Sequence, residues 1–120
     1  MATTVVVTNK GEEKAIDAID AFLTTPFIHW GTGTTTAAET DTTLETAASE
    51  ARVAAAQSQP AIDTLRDVAT ITCAGAGKAI TECGLFDAST SGNMYVRATF
   101  DVINVSVGDA IEFTINIQAT

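Results

Sequence analysis

The sequence is poor in the residues that most often build reactive or metal-binding sites. It holds one histidine and two cysteines, Cys73 and Cys83, in 120 residues. Because no Cys-x-x-Cys pair accompanies them, the soft ligands of a structural zinc site are missing. We therefore expect no metal and no cofactor. The cysteines are interpreted as small buried thiols, and a disulfide between them stays open from sequence alone.

Basic side chains are also scarce. Lys and Arg number 6 against 15 Asp and Glu, which gives a net charge of -9. A chain this acidic repels phosphate backbones, so direct binding to nucleic acid is disfavoured. No apolar stretch approaches the length of a membrane span, and the N-terminus lacks the features of a signal peptide. We expect that the protein is made in a cytoplasm and that it does not associate with a membrane.

Aromatic residues make up only 6% of the chain, with one Trp and one Tyr. The core must therefore be built mainly from Ala, Val, Ile and Leu, while the abundant Thr favours half-buried strands. The length is typical of one domain, and we predict that residues 1–120 form a single structural unit.

The N-terminal quarter predicts a strand followed by a helix. Residues 1–8 are interpreted as an N-terminal strand or arm, with the strand over 3–8, and residues 9–24 as a helix. Asn9 and Glu12 stand in the relation of a capping box, and Pro26 ends the helix. The apolar face of this helix is predicted to contain Ile16, Ile19, Phe22 and Leu23.

The remainder, residues 26–120, is predicted to be mainly β. A strand over 27–30 precedes a Gly- and Thr-rich loop over 31–40, and Asp41 caps a short helical segment over 42–51. Further strands are predicted over 53–57, 65–73, 79–86, 94–101 and 111–117. The 75–78 turn is expected to join its flanking strands as a hairpin, and 89–93 forms another turn.

Two of these strands show a clear period of two. Ile111, Phe113, Ile115 and Ile117 alternate with polar residues, as do Met94, Val96, Ala98 and Phe100. This alternation is typical of a strand with one buried face. The elements together predict an α+β, mainly β fold: an antiparallel sheet or β-sandwich with one N-terminal amphipathic helix and a short second helical segment.

A search for catalytic chemistry finds no set of residues that forms a reaction centre, and the chain is predicted not to be an enzyme. His29 lies in an apolar strand without a nucleophile motif. The glycine-rich stretch 31–36 lacks the Gly-Lys-Ser/Thr ending of a phosphate loop. The carboxylates of Asp87, Asp101 and Asp109 do not have the spacing of a calcium loop and are better interpreted as turn and edge residues.

Glu82 is the one carboxylate predicted to be partly buried. It alternates on one face with Ile80, Gly84 and Phe86, and a buried carboxylate is unstable unless it is paired. Arg52 and Arg97 are the candidate partners. We interpret the group as a structural ion pair.

Contact surfaces for partners are predicted in two exposed segments and at the tryptophan. The N-terminal segment can add a strand to a neighbour, and the 31–40 loop can order on contact. Trp30 is interpreted as a core residue, with a partner-facing role left open. The interface candidates are Thr3, Thr4, Val5, Trp30, Thr34 and Thr35.

Several segments together resemble a family of small structural proteins of tailed bacteriophages. They are residues 6–11 before the helix, 31–35, 40–46, 50–53, 79–87 and 92–100, and the most specific part is 80–87 with 93–100. Cys83 stands where a small residue is usual. The resemblance covers nearly the whole chain and implies a virion component without catalytic residues, made in the host cytoplasm.

The virion role that this resemblance favours is a capsid decoration, or cement, protein. It would bind the outer surface of the head through the major capsid protein, stabilise the assembled lattice and form a homotrimer. The alternative is a tail, neck, tail-fibre or baseplate component. A second alternative is a carbohydrate-binding β-module on the virion surface, against which the shortage of aromatics counts.

Overall fold

A computed structural model describes residues 3–119, which fold into one helix and seven strands. The elements are α1 (Asn9–Phe22), β1 (Phe27–Gly31), β2 (Val53–Ala54), β3 (Ala56–Ala61), β4 (Thr64–Thr72), β5 (Lys78–Phe86), β6 (Met94–Val105) and β7 (Ala110–Gln118). The mainly β prediction with an N-terminal helix is confirmed.

The strands form two antiparallel sheets that pack against each other. One sheet has the order β2-β1-β5-β6 and the other β3-β4-β7. The chain passes from the first sheet to the second through a single residue, Ala55, on the side where β2 and β3 lie. On the opposite side, β6 and β7 are joined by a turn but do not pair with each other.

The core lies between the two sheets and follows the predicted alternation. Phe113 and Ile115 of β7 are buried. They belong to the same core cluster as Trp30 and Leu85 of the other sheet. The rings of Trp30 and Phe113 meet edge to face with their centroids 6.3 Å apart, the arrangement that aromatic quadrupoles favour. Burial of these apolar side chains is the main source of stability.

The helix begins at Asn9, as predicted, but it ends at Phe22 and its N-cap lies one residue earlier than predicted. Thr8, not Asn9, is the N-cap: its backbone is extended, and its hydroxyl accepts the amide of Gly11 at 3.3 Å. Ile16 and Leu23 are buried, but Phe22 is 79% exposed, so its predicted inward position is wrong. At 100° per residue, Phe22 lies about 90° away from the stripe that the apolar residues form.

Residues 3–8 do not form the predicted strand. They have no regular secondary structure and pair with no strand, and residues 1 and 2 of the predicted arm lie outside the described part. A strand needs a neighbour to satisfy its backbone groups, and within residues 3–119 no strand is placed beside this segment. Its β-propensity is therefore unused in a single copy.

The predicted helical segment over 42–51 is not a helix either. Its backbone amides bind elsewhere: Ala48 donates to the Trp30 carbonyl at 3.1 Å, and Glu45 and Thr46 donate to the Glu82 carboxylate. Because a helix would need these same amides for its own ladder, the tertiary contacts win over a weak local preference.

The predicted hairpin across residues 75–78 is wrong as well. β4 and β5 lie in different sheets: β4 pairs with β7 from Thr64–Gln118 to Thr72–Ala110, and β5 pairs with β1 and β6. The intervening turn, with Gly75 at φ 78, carries the chain across the sandwich. The 87–93 turn does join a hairpin, between β5 and β6.

Candidate functional site

The most elaborate polar cluster surrounds the carboxylate of Glu82, which is fully buried in the middle of β5. One oxygen accepts the amides of Gly33 and Thr46, each at 2.8 Å. The other accepts the amide of Glu45 at 2.9 Å and the Arg97 Nε at 3.1 Å. The side chain thus holds both ends of the segment 32–46, which we call the Glu82 loop.

These donors keep Glu82 ionised. Burial opposes ionisation, but the amides of Thr46, Glu45 and Gly33 and the Arg97 guanidinium outweigh it and hold the Glu82 pKa below its ordinary value. Four protein N–H groups donate to this carboxylate, so it is engaged in holding the structure together.

Arg97, on the neighbouring strand β6, extends the cluster to the outer part of the loop. Its side chain is buried, and its other nitrogens donate to Asp41 at 2.9 Å and to the Thr35 carbonyl at 3.0 Å. The Arg97 guanidinium therefore connects β6 both to the buried Glu82 carboxylate and to the outer part of the Glu82 loop. Its planar fork suits such multidentate contacts better than a lysine would.

Arg52 is not a partner of Glu82, which corrects one of the two predicted pairings. Its guanidinium lies 3.7 Å above the ring centroid of Phe86 and donates to the carbonyls of Ala88 and Ser91, each at 2.8 Å. Arg52 thus fastens the 87–93 turn by cation–π and hydrogen-bond contacts. Either arginine could pair with Glu82 by its charge alone. Only the order of the strands in the sheet shows that Arg97 is the partner.

The glycines of the 31–36 stretch serve close packing around the carboxylate. A Cβ at Gly33 would overlap the Glu82 Oε2 and lie 2.6 Å from the Glu45 Cβ, and one at Gly31 would overlap the Thr46 carbonyl. This explains the glycine-rich sequence without a phosphate ligand.

We expect Gly33→Ala to lower the free energy of unfolding by about 1–2 kcal/mol, because the methyl group must push the loop away from Glu82. Urea denaturation measures the change. Thr34→Ala, at an exposed neighbouring position, is the matched control and should behave as wild type. Equal stability of the Gly33 variant and the control would contradict the close packing.

Sequence reasoning missed a second buried ion pair on the same sandwich. Glu50 accepts the Lys78 Nζ at 2.6 Å, the Ala74 amide at 2.9 Å and the Trp30 indole nitrogen at 2.9 Å. Burial opposes ionisation, but these donors lower the Glu50 pKa to about 2. The signal was weak, since Glu50 lies outside any regular element and its partners are distant in sequence.

The other residues considered for catalysis or metal binding either contact backbone groups or lie exposed. His29 Nε2 lies 2.7 Å from the Glu50 carbonyl and 3.1 Å from the Ala48 carbonyl, so it donates to backbone. Asp87 and Asp109 accept amides within their own turns, and Asp101 lies exposed on β6. Among residues 3–119, no group of three or more His, Cys, Asp and Glu side chains is placed to hold a metal.

The predicted interface residues divide into exposed and buried ones. Trp30 is fully buried between the sheets, so its open partner-facing role is corrected in favour of the core. Thr34 and Thr35 lie exposed on the Glu82 loop, and Thr3, Thr4 and Val5 lie exposed in the N-terminal segment. Both cysteines are buried and free. No helix in the described residues combines the length and apolar character needed to cross a bilayer.

Comparison with known proteins gave one match. The family model described as podophage GP4 fiber I protein gp80 matches residues 7–119. No curated protein and no solved structure matched the chain significantly. The match spans nearly all of the described residues. It includes the three segments that form the Glu82 cluster, which are β5, β6 and the Glu82 loop.

Proposed function

The chain belongs to the family of the podophage GP4 fiber I protein gp80, a family of tailed-phage virion structural proteins, and we propose on that premise that it is a structural subunit of a tail fibre. The observation that carries the proposal is the extent of the family match, residues 7–119. The match includes both sheets and the helix, so the likeness does not depend on one short motif.

The shape of the molecule supports this proposal. Its principal extents are 58 × 30 × 23 Å and its radius of gyration is 16.0 Å. A compact domain of this length has a radius of gyration of about 14 Å. An elongated subunit whose N-terminal segment lies outside both sheets suits a body that contacts its neighbours along a fibre.

The subunit is proposed to act by docking, without catalysis. The charged side chains of its two least exposed ion pairs, Glu82 with Arg97 and Glu50 with Lys78, contact each other and the backbone. What they hold in place are exposed segments: the Glu82 loop and the turns of the sandwich. The proposed partners are further copies of the chain, as a homotrimer, and a protein of the tail or neck.

Capsid decoration is the second candidate. It is favoured by the exposed valines of the N-terminal segment, since a cement protein bridges neighbouring lattice subunits and needs a segment that reaches beyond its own body. The partner would then be the major capsid protein. A carbohydrate-binding module is disfavoured because Trp30, the best stacking residue in the sequence, is buried.

Immunogold labelling of intact virions tests the location. We expect gold particles at the tail and its fibres. A uniform label over the head would instead support decoration and contradict the fibre proposal. Virions from a phage that lacks the gene for this chain serve as the control for antibody specificity.

A further inference from the structure

One side of the sandwich is open. Among residues 3–119, β6 pairs only with β5 and β7 only with β4, so each presents an edge without a partner strand. Between them lies a cleft of about 450 Å³, which we call the β6/β7 cleft. The side chains that line it are almost all apolar or uncharged, among them Ala98, Phe100, Ile103, Ile111 and Phe113.

An open edge of this kind is unusual in an isolated protein. Edge strands expose unpaired N–H and C=O groups, and natural proteins commonly shield them with charge, proline or short length. β6 is 12 residues long, and Val102 and Ile103 on it are 54% and 42% exposed. Glu112 is the one charged side chain in the cleft lining. The edge therefore suits pairing with another strand.

The N-terminal segment has the complementary properties. We call residues 3–8 the arm; it has the sequence Thr-Thr-Val-Val-Val-Thr and carries no charge. Val5, Val6 and Val7 are 87%, 76% and 63% exposed. Within the described chain, residues 3–7 have no backbone hydrogen bond to another segment. Three consecutive β-branched residues strongly favour a strand, yet no strand forms in one copy.

We propose that the arm of one copy adds as a strand in the β6/β7 cleft of a second copy. Six extended residues span about 20 Å, which fits along an edge of nine residues such as β7. Val5 and Val7 share one face of the arm and would enter the apolar cleft beside Phe100 and Phe113. The backbone of the arm would pair with the free edge of β7.

Charge also favours this contact over others between copies. The chain carries a net charge of -9, so two copies repel each other over most of their surfaces. An uncharged arm that enters a cleft with a single carboxylate is a contact that largely avoids this repulsion. Because each copy gives one arm and receives another, the exchange can close into a ring such as a trimer.

The exchange deepens the proposed function by naming the self-association surface, and its test in purified protein is separate from the location of the chain on virions. The first measurement is the molar mass of the full chain by analytical ultracentrifugation over a concentration series. We expect association of the wild type. We expect Ile103→Glu to weaken it by at least about tenfold, because a carboxylate cannot be buried in the apolar cleft without a partner.

Ile62→Glu is the matched control, since Ile62 is 58% exposed in the β3–β4 turn and lies outside the cleft. It should associate as the wild type does, and circular dichroism checks that both variants fold. A wild type that stays monomeric at every concentration would overturn the proposal, as would equal weakening by the two substitutions.

Disulfide trapping gives a second, independent test. A Val5→Cys protein is mixed with an Ile103→Cys protein and oxidised, and peptide mass spectrometry assigns the bridge. Cys83 lines the cleft, but its side chain is buried and burial raises its pKa to about 11, and Cys73 is buried too, so the native thiols compete poorly. We expect a bridge between positions 5 and 103 of different copies.

A mixture of Val5→Cys and Ile62→Cys proteins should give little bridge, because position 62 lies away from the cleft. Equal yields from the two mixtures would overturn the proposal. In a Val5→Cys/Ile103→Cys double variant, the proposal predicts bridges between copies. A bridge that forms only within one copy would show that the arm folds back on its own cleft, and would also overturn it.

Discussion

Replacing Glu82 by glutamine should lower the free energy of unfolding by about 3–5 kcal/mol, the usual cost of removing one partner from a buried ion pair. Arg97, whose side chain is buried, would lose the fully buried one of its two carboxylate partners and keep only Asp41. The loss is expected although glutamine has nearly the same shape as glutamate, because what disappears is charge and acceptor capacity.

The cost arises whichever way the new amide turns. Each oxygen of Glu82 accepts two donors: Gly33 and Thr46 on one, Glu45 and Arg97 on the other. The NH₂ group of glutamine must face one of these pairs, where donors would point at donors. Two buried N–H groups would then lack an acceptor, and the Glu82 loop would detach from β5.

Chemical denaturation measures the stability change, and amide hydrogen exchange locates it. We expect the amides of Gly33, Glu45 and Thr46 to exchange faster in Glu82→Gln. Glu39→Gln, an exposed change in the same loop, should leave both quantities as in wild type. Unchanged stability and protection in Glu82→Gln would contradict the role given to this carboxylate.

Asp67→Asn should have the opposite effect and stabilise the protein by about 2–3 kcal/mol at pH 7 and above. Asp67 is fully buried on β4, on the same face as Leu65 and Ala69. Neither carboxylate oxygen has a hydrogen-bond partner in the described structure. Burial raises its pKa to about 6. The nearby Gln57 amide, whose Nε2 also lacks a hydrogen-bond partner in the described structure, opposes this rise, and Asp20 on α1 adds to it.

The benefit should depend on pH in a defined direction. The native state keeps the Asp67 proton up to about pH 6, whereas the unfolded chain releases it near pH 3.8. The wild type therefore loses this part of its stability as the pH rises from about 4 to about 6. Asparagine cannot ionise, so the difference between variant and wild type should be near zero at pH 4 and constant above pH 7.

Urea titrations of the two proteins at pH 4, 5, 6 and 7 measure this difference, and other titrating groups cancel in the comparison. Asp101→Asn is the control, because Asp101 is exposed on β6. A destabilised Asp67→Asn, or a gain that does not change with pH, would show that the buried carboxylate has a partner that the folded chain supplies under those conditions.

The parts of the fold that the sequence predicted are those that depend on one segment alone. The alternation from Ile111 to Ile117 predicted a strand with one buried face, and Phe113 and Ile115 are buried there. The helix ends at Phe22, two residues before the predicted end at 24, and Pro26 follows it. In both cases the period of the side chains or the geometry of one residue is sufficient, and no distant partner enters.

Apart from Phe22 and the N-cap, which are errors within the helix itself, the errors concern choices that are made between segments. The turn after Cys73 looks like a hairpin, but whether a strand pairs with its predecessor or crosses to the facing sheet depends on the partners available to each. The residues of the 42–51 segment alone predict a helix. In the structure, its amides instead donate to β1 and to the Glu82 carboxylate. Backbone donors that find tertiary acceptors override weak local propensity.

The candidate site shows the same division. Alternation along β5 indicated that Glu82 is buried, and burial of a carboxylate implies a partner. The choice between Arg52 and Arg97 depends on which strand lies beside β5, which no local pattern encodes. Glu50 was missed because it stands in an irregular segment, where neither a period of two nor a helical period marks the buried side chains.

We propose that this chain is a structural subunit of the virion tail fibres. The most direct test is the number of copies of the chain per virion, measured relative to the major capsid protein. Quantitative mass spectrometry of purified virions gives the ratio. The claim predicts that the chain is present at a small number of copies per particle, a multiple of its oligomer. Absence from the particles, or copies in the hundreds as on a decorated head, would contradict it.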